Sequence, residues 1–300
     1  MGPSELLDGV RLALHSVYGA LDGVISPRVF ALLARCGIQP VLSPATAALP
    51  FVASPTPVVL CCTVYLAVVA LGVLAIRSSN AAPLARDPFP LRTLIILHNC
   101  FLFVLSAFMG GGLITEAVRN RYSLWHNRYE PSQLAMARLL YLFFISKIYE
   151  FGDTFIMLLK RNTRQVSVLH VYHHCSVALI WWLIVYHAPG GEAYFSAALN
   201  SWVHVAMYLY YLLSAAIGKD PVRRRKYLWW GRYLTMMQMT QFIINMIESR
   251  VVVSGKNPPY PQFIANVLFY YMISLFALFA NFYVQKYGSS RRSIAKLKSL

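Results

Sequence analysis

Leu169-His170-Val171-Tyr172-His173-His174 sets three imidazoles inside an apolar run, with Val166–Leu169 leading in and Val177–Val185 leading out, both nearly all hydrophobic. A loop in water is not this apolar, and a plain membrane anchor carries no imidazoles. Ionisable groups at bilayer depth are costly, so they mark a site. The stretch reads as a membrane-embedded helix with a chemical task.

The surrounding chain agrees. Of its 300 residues, 58% are hydrophobic and only 13% charged, and the mean hydropathy is +0.52. That is too apolar for a soluble enzyme of this size, and several segments reach the roughly 20 apolar residues that span a bilayer. The predicted fold is an all-α polytopic membrane protein with seven transmembrane helices, near 57–76, 92–116, 134–159, 166–187, 193–217, 232–253 and 262–286. Pro55 and Pro57 open the first span and Arg77 closes it; Pro189-Gly190-Gly191 predicts a tight turn between the fourth and fifth. Residues 1–55 are mixed, with Pro27, Pro40, Pro44 and Pro50, and predict either one surface helix near 5–22 or an irregular segment. The first apolar stretch of span length begins near Thr56, too late for a cleavable signal peptide. The five cysteines are odd in number, and their spacing fits neither zinc nor a disulfide framework.

The net charge of +16 at first suggests nucleic acid, but the basic residues sit in short loops and the tail. The loops 77–92, 160–165 and 218–232 and the tail from Lys286 carry 17 Lys and Arg, against 8 on the opposite side. That excess places the tail in the cytosol and the N-terminus across the membrane. The expected layout is a lumenal N-terminal segment (1–55), a seven-helix domain (56–287) and a basic cytosolic tail (288–300). Lys296 and Lys298 in that tail resemble the dilysine retrieval signal of endoplasmic reticulum membrane proteins.

Four spans carry polar groups at similar depth. Lys147, Glu150 and Asp153 follow one another at i, i+3, so successive members meet across a turn. His170, His173 and His174 share one face within an arc of about 100°. Asn200, His204 and Tyr208 form one stripe; Gln238 and Gln241 lie three apart. Counted inward from the basic end, Asp153 lies about 9 Å deep, His173 about 10 Å, Glu150 about 14 Å and His204 about 20 Å. Such groups must satisfy one another or line a wet cavity, so a polar chamber opening toward the basic side is expected. Lys147 with Glu150 reads equally well as a structural ion pair, and Gln238 with Gln241 as interhelical glue.

Two chemistries suit the histidines. His-x-x-His-His resembles a histidine box of membrane di-iron desaturases, and imidazole binds iron and zinc. The chain has eight histidines in all, and two of them, His15 and His126, fall outside the spans on the far side. Alternatively, neutral imidazole is a nucleophile near pH 7, and an acyl-imidazole is about as energy-rich as a thioester. Basic loops would then hold the phosphates of a nucleotide-bearing acyl donor. A seven-helix lipid transporter is a third class with a polar chamber, although no inverted repeat is visible.

Four motifs in order narrow the choice: Lys147-x-x-Glu150-x-x-Asp153-Thr154; Gln165-x-x-x-Leu169-His170-x-x-His173-His174; Asn200-x-x-x-His204-x-x-Met207-Tyr208-x-Tyr210-Tyr211; and Thr235-x-x-Gln238-x-x-Gln241-Phe242. Together they resemble the signature of the ELO fatty-acid elongases over residues 50 to 287. His170–His174, the run from Ala188 to Asn200, and Tyr227–Arg232 are similar to the algal and lower-plant members that act on C18 chains with a Δ6 double bond. The resemblance implies six helices enclosing an acyl tunnel, and a 3-oxoacyl-CoA synthase joining acyl-CoA to malonyl-CoA with loss of CO2. It implies His173, His204, His170, His174, Lys147, Glu150, Asp153, Asn200 and Gln238 as catalytic residues. Arg164, Arg225 and Lys226 become candidates for the coenzyme A phosphates, with Gln165, Tyr208, Tyr211 and Gln241 also binding substrate. No metal and no cofactor is expected, the coenzyme A thioesters being substrates. Membrane lipid, other enzymes of an elongation cycle or a second copy of the chain are the expected partners, and nucleic acid is not.

Overall fold

The computed structural model describes residues 3–254 and 260–288, all of whose regular structure is helical. In chain order the helices are α1 (Pro3–Arg35), α2 (Thr56–Ser78), α3 (Phe89–Arg119), α4 (Leu134–Tyr149), α5 (Phe151–Leu159), α6 (Val168–His187), α7 (Ala193–Ile217), α8 (Pro221–Tyr227), α9 (Gly231–Val253) and α10 (Gln262–Tyr283), the last followed by a π-helical turn, Val284–Gly288. Local chemistry sets several boundaries. Ser167 caps α6 by accepting from the His170 N–H at 3.2 Å. Asp220 caps α8 through Val222 and Arg223. Gly218, at φ +70, ends α7 where a side chain would be strained.

α3 packs along α7, α9 along α10, and α4 against α6. The aromatic core between them includes Phe143 on Trp181 at 4.4 Å between ring centroids and Tyr65 stacked on Phe151 at 4.4 Å. Five helical stretches are long and apolar enough to cross a membrane: Asp8–Arg35, Thr56–Ser78, Phe89–Arg119, Val168–His187 and Gln262–Tyr287. This differs from the seven expected. α7 and α9 dilute their apolarity with the polar residues of the site. The expected third span, 134–159, is two helices, because the chain leaves regular helix at Glu150. Conversely, α1 runs through residues read as mixed, and its Asp8–Arg35 stretch is of span length, ahead of the expected start near Thr56.

The two ends of the bundle differ. At one end the basic loops converge: Lys160 pairs with Asp87 at 2.9 Å, Lys219 donates to the Leu84 carbonyl at 2.7 Å and Arg92 to the Ala216 carbonyl at 2.8 Å. The other end is capped. Ser43 N–H donates to the Tyr186 carbonyl, Thr46 Oγ1 to the Val185 carbonyl, Trp182 Nε1 to the Val52 carbonyl and Tyr260 OH to the Ala188 carbonyl. Residues 181–194 are buried almost without interruption beneath this cover. α1 docks here through its last third, Ser26 meeting Thr56 at 3.0 Å and Phe30 packing on Trp182 and Tyr186. Its residues 8–21 are all exposed. Lys256 and the dilysine-like Lys296 and Lys298 lie outside the described residues.

The turn Pro189-Gly190-Gly191 is present as expected. Gly191 has φ +53, and a Cβ there would sit 2.8 Å from the Asn127 carbonyl oxygen and the Tyr129 nitrogen. A left-handed backbone costs a non-glycine residue about 1–2 kcal/mol before any clash. Gly191→Ala is therefore expected to lower the melting temperature of detergent-purified protein by several degrees. Gly111→Ala, where nothing lies within 4 Å of the added carbon, should leave it unchanged.

Candidate active site

The interruption at Glu150 sits at the centre of the polar residues. α4 delivers Lys147, fully buried, and its Nζ donates to Glu150 Oε1 at 2.7 Å and to Asn200 Oδ1 of α7 at 3.2 Å. The same ammonium lies 4.2 Å above the Phe143 ring. Glu150 Oε1 also approaches His204 Nδ1 at 3.4 Å, without the alignment of a hydrogen bond. One buried carboxylate thus holds a cation from its own segment and an imidazole from α7.

One turn further, Asp153 ties three helices. Its Oδ1 accepts from His98 Nε2 of α3 at 2.8 Å, and its Oδ2 accepts from Tyr208 OH of α7 at 3.0 Å. Gly152 makes room for this: a Cβ there would lie 3.0 Å from His98 Cε1. Thr154 completes the segment, its hydroxyl bonded to His170 Nε2 at 2.8 Å and to Tyr65 OH of α2 at 2.9 Å. Short helices joined at a polar residue, rather than one straight span, aim Glu150, Asp153 and Thr154 at three different partners.

On α6 the imidazoles are in contact, His170 tilted by 55° against His174 at 4.3 Å and His174 edge-on to His173 at 5.5 Å. His170 is held by Thr154, and His174 is buried among Tyr65 and Phe151 with its Nδ1 unpaired. His173 is half-buried, and among the described residues its ring makes no hydrogen bond. It lies within electrostatic reach of His204, Glu150, Lys147 and His170. The structure therefore groups Lys147, Glu150, Asp153, Asn200, His204, Tyr208 and the three histidines. Gln238 is half-buried on α9 beside Met207, its Nε2 3.6 Å from the sulfur, and Gln241 is buried one turn on. Tyr211 packs edge-on to Tyr208 at 6.0 Å and is partly exposed. Arg164, Gln165, Arg225 and Lys226 are not part of this network; they are exposed at the basic end. No group of three His, Cys, Asp or Glu side chains among the described residues is placed to hold a metal ion.

Two participants had no assigned role in the sequence. His98 stood as one histidine in an apolar helix, although His98-Asn99 was a usable signal. Tyr65 gave none, because a tyrosine in an apolar helix reads as packing. A pair of acidic residues also meets at the capped end. Glu192, at the head of α7, accepts from the Asn127 backbone N–H and meets Glu248 of α9.

A buried histidine network inside a bundle with several membrane-length helices defines a multi-pass membrane protein with a polar interior. The comparisons place it further: residues 50–295 match the ELO family, described as the GNS1/SUR4 family. The chain is 43% identical over 213 residues to "Fatty acid elongase 6" of Leishmania major, covering 68% of this chain and 55% of that relative. It is 37% identical over 245 residues to human "Very long chain fatty acid elongase 5", covering 79% and 77%, and 38% identical over 215 residues to the Xenopus tropicalis protein of the same name, covering 69% and 70%. The chain thus spans about half the length of the Leishmania relative. It belongs to the ELO family.

Two measurements test this geometry. Removing one partner of a buried ion pair costs about 3–5 kcal/mol, whereas an apolar pair of similar volume is near neutral. Glu150→Leu should therefore lower thermal stability strongly, and Lys147→Met with Glu150→Leu should restore much of it. The second concerns Glu192, whose carboxyl burial pushes up to about 7 from an ordinary 4.5, against hydrogen bonds from the Asn127 backbone, Glu248 and the His126 backbone. The folded protein holds this proton more tightly than the unfolded chain, so stability present below pH 4.5 is lost as pH rises through about 7. Glu192→Gln is expected to flatten the fall in melting temperature between pH 5 and pH 8.

Proposed function

We propose that the protein is the condensing enzyme of fatty-acid elongation, a 3-oxoacyl-CoA synthase that works through an acyl-histidine. The observation that carries this reading is the His173 imidazole, half-buried and without a hydrogen bond among the described residues, within electrostatic reach of Lys147, Glu150 and His204. Family membership and the names of the relatives support the coarser role, fatty-acid elongation.

In the first half-reaction the neutral imidazole of His173 attacks the acyl thioester carbonyl. The carbon–sulfur bond breaks, the acyl group stays on nitrogen, and the imidazole proton leaves with the thiolate as free coenzyme A. His204, oriented by Glu150, takes and returns that proton. In the second half, malonyl-CoA loses CO2 to give an enolate, which attacks the acyl carbon; the acyl–nitrogen bond breaks, 3-ketoacyl-CoA leaves, and the departing imidazole takes up one proton from water through His204, so that each turnover consumes one proton and returns neutral His173. Lys147, Asn200 and Gln238 donate hydrogen bonds to the oxyanions that develop. His170 and His174 are positioning residues, held by Thr154 and by each other.

The substrate side follows the same polarity. Coenzyme A approaches the basic end, where Arg164, Arg225 and Lys226 offer phosphate contacts and Gln165 and Tyr211 flank the entrance. The acyl chain runs inward past Tyr208 and Gln241 in a tunnel enclosed by six helices, toward the capped end. The proposed acyl donor is a C18 chain carrying a Δ6 double bond, and the proposed site of action is the endoplasmic reticulum membrane with the tail in the cytosol. No cofactor is required. Other elongation-cycle enzymes, or a second copy of the chain, are the proposed protein partners.

Microsomes carrying the protein, given malonyl-CoA and a C18 acyl-CoA, should form a C20 3-keto product. Purified protein given acyl-CoA alone should gain the acyl mass and release one equivalent of thiol. His173→Asn is expected to abolish the adduct and to lower condensation at least about a thousandfold. An adduct that persists in His173→Asn would reassign the nucleophile.

A further inference from the structure

α2 meets α6 beside the imidazoles, and two cysteines stand at the meeting. Cys62 of α2 is buried, and Cys175, the residue after His174 on α6, is half-buried. Cys62 Sγ lies 3.8 Å from the Cys175 carbonyl oxygen, and the two thiols also interact directly, side chain to side chain. Three residues on, Tyr65 stands against His174 at 6.3 Å between ring centroids and bonds to Thr154, which holds His170. The cysteine pair and the tyrosine therefore support the same stretch of α6, from His170 to Cys175, from the α2 side.

The other three cysteines are placed differently. Cys36 and Cys100 are exposed, and Cys61 is half-buried, turned about 100° from Cys62 around the axis of α2. All five are free thiols. Cys62 belongs to the hydrophobic core and Cys175 packs against it. Buried thiols are inert to oxidants dissolved in water. Hydroperoxides of unsaturated acyl chains are different, because these two-electron oxidants dissolve in hydrocarbon and reach the same depth.

We infer that Cys62 and Cys175 form a redox modification site, oxidised by an apolar hydroperoxide to a disulfide that staples α2 to α6 and slows the reaction at the neighbouring imidazoles. The bond itself is independent of the condensing activity proposed above, whereas its effect on rate rests on that reading.

The chemistry balances in two steps. The sulfur of Cys175, the more exposed of the two, attacks the terminal oxygen of the hydroperoxide. The O–O bond breaks, and the departing oxygen takes the thiol proton to become an alcohol, leaving a sulfenic acid on Cys175. The sulfur of Cys62 then attacks the sulfenic sulfur, the S–O bond breaks, and hydroxide leaves with the Cys62 proton as water. Two thiols have given up one electron each, and the peroxide has gained two. Because the thiols already touch, the second step is intramolecular and needs no diffusion. A disulfide holds its sulfurs about 2.05 Å apart, closer than any non-bonded contact. Forming it draws α2 and α6 together next to His174. A displacement of about 1 Å in a reaction site costs up to about a hundredfold in rate.

The test uses membranes containing the full chain, treated with cumene hydroperoxide and then denatured. A polymer-tagged maleimide counts free thiols as discrete gel shifts. The wild type should fall from five tagged thiols to three while remaining a monomeric band, and return to five after reduction with a phosphine. Cys62→Ala should show four with or without oxidant, and Cys61→Ala should fall from four to two. If Cys62→Ala yields no folded protein, Cys175→Ser gives the same reading. In parallel, condensation of malonyl-CoA with a C18 acyl-CoA should drop about ten- to a hundredfold in the oxidised wild type and recover on reduction. Cys62→Ala should keep its basal rate and resist the oxidant. Five thiols left after oxidation, protection by Cys61→Ala, or an oxidised wild type that condenses at full rate would each overturn the inference. Failure of the untreated wild type to condense any acyl-CoA overturns the proposed function instead, and the thiol count still reads the bond.

Discussion

A lysine and a glutamate with almost no exposed surface can coexist in the interior of a membrane bundle only as a pair. Lys147 and Glu150 meet that requirement, and the rest of the site is arranged around their meeting. Taking two charges out of water costs several kcal/mol each, repaid only with good geometry and further hydrogen bonds. Asn200 gives the ammonium a second acceptor, the Phe143 ring gives it a face, and His204 lies against the carboxylate. Each of these partners is fixed by the need to satisfy the pair, so α4 and α7 are locked in register by electrostatics as well as by packing.

The break between α4 and α5 serves the same economy. In one straight helix, Glu150, Asp153 and Thr154 would point in directions set by the 3.6-residue period alone. Around the interruption at Glu150, the three side chains meet α7, then α3 with α7, then α6 with α2. Gly152 belongs to this design, since any side chain there would press on His98. A nine-residue helix thus carries the contacts that hold four others at one depth. His170 is held by Thr154, while the rings of His173, His174 and His204 make no hydrogen bond among the described residues.

Much of this was legible in the residues. The i, i+3 spacing of Lys147, Glu150 and Asp153 and the i, i+3, i+4 spacing of the histidines place them on shared faces, and bilayer energetics then require those faces to meet. The loops after α2, α5 and α7, read as basic in the sequence, lie together at one end of the bundle. What was not legible depends on tertiary contact. Span-length apolarity cannot show that the helix over 134–159 is interrupted at Glu150, since helix periodicity continues through it. The partnership of His98 with Asp153 joins residues 55 apart, and no local pattern encodes it. α1 was obscured because Pro27 and scattered charges interrupt its composition, although one proline in 33 residues does not stop the helix. Arg164, Gln165, Arg225 and Lys226 are exposed, and sequence could not show that they stand outside the buried network.

The cap over the far end has a consequence for biogenesis. It is assembled from the segment after α1, the stretch between α3 and α4, the turn before α7 and the residue Tyr260 just before α10. Tyr260 bonds to Ala188, 72 positions earlier. These contacts are among the most distant in the chain, and such pairings form late. A chain made only through α9 can already form the Ser43, Thr46 and Trp182 contacts, but the bond at Ala188 waits for Tyr260. The last piece of the cover thus arrives with the last helix, and until it docks the turn before α7 lacks one of its anchors.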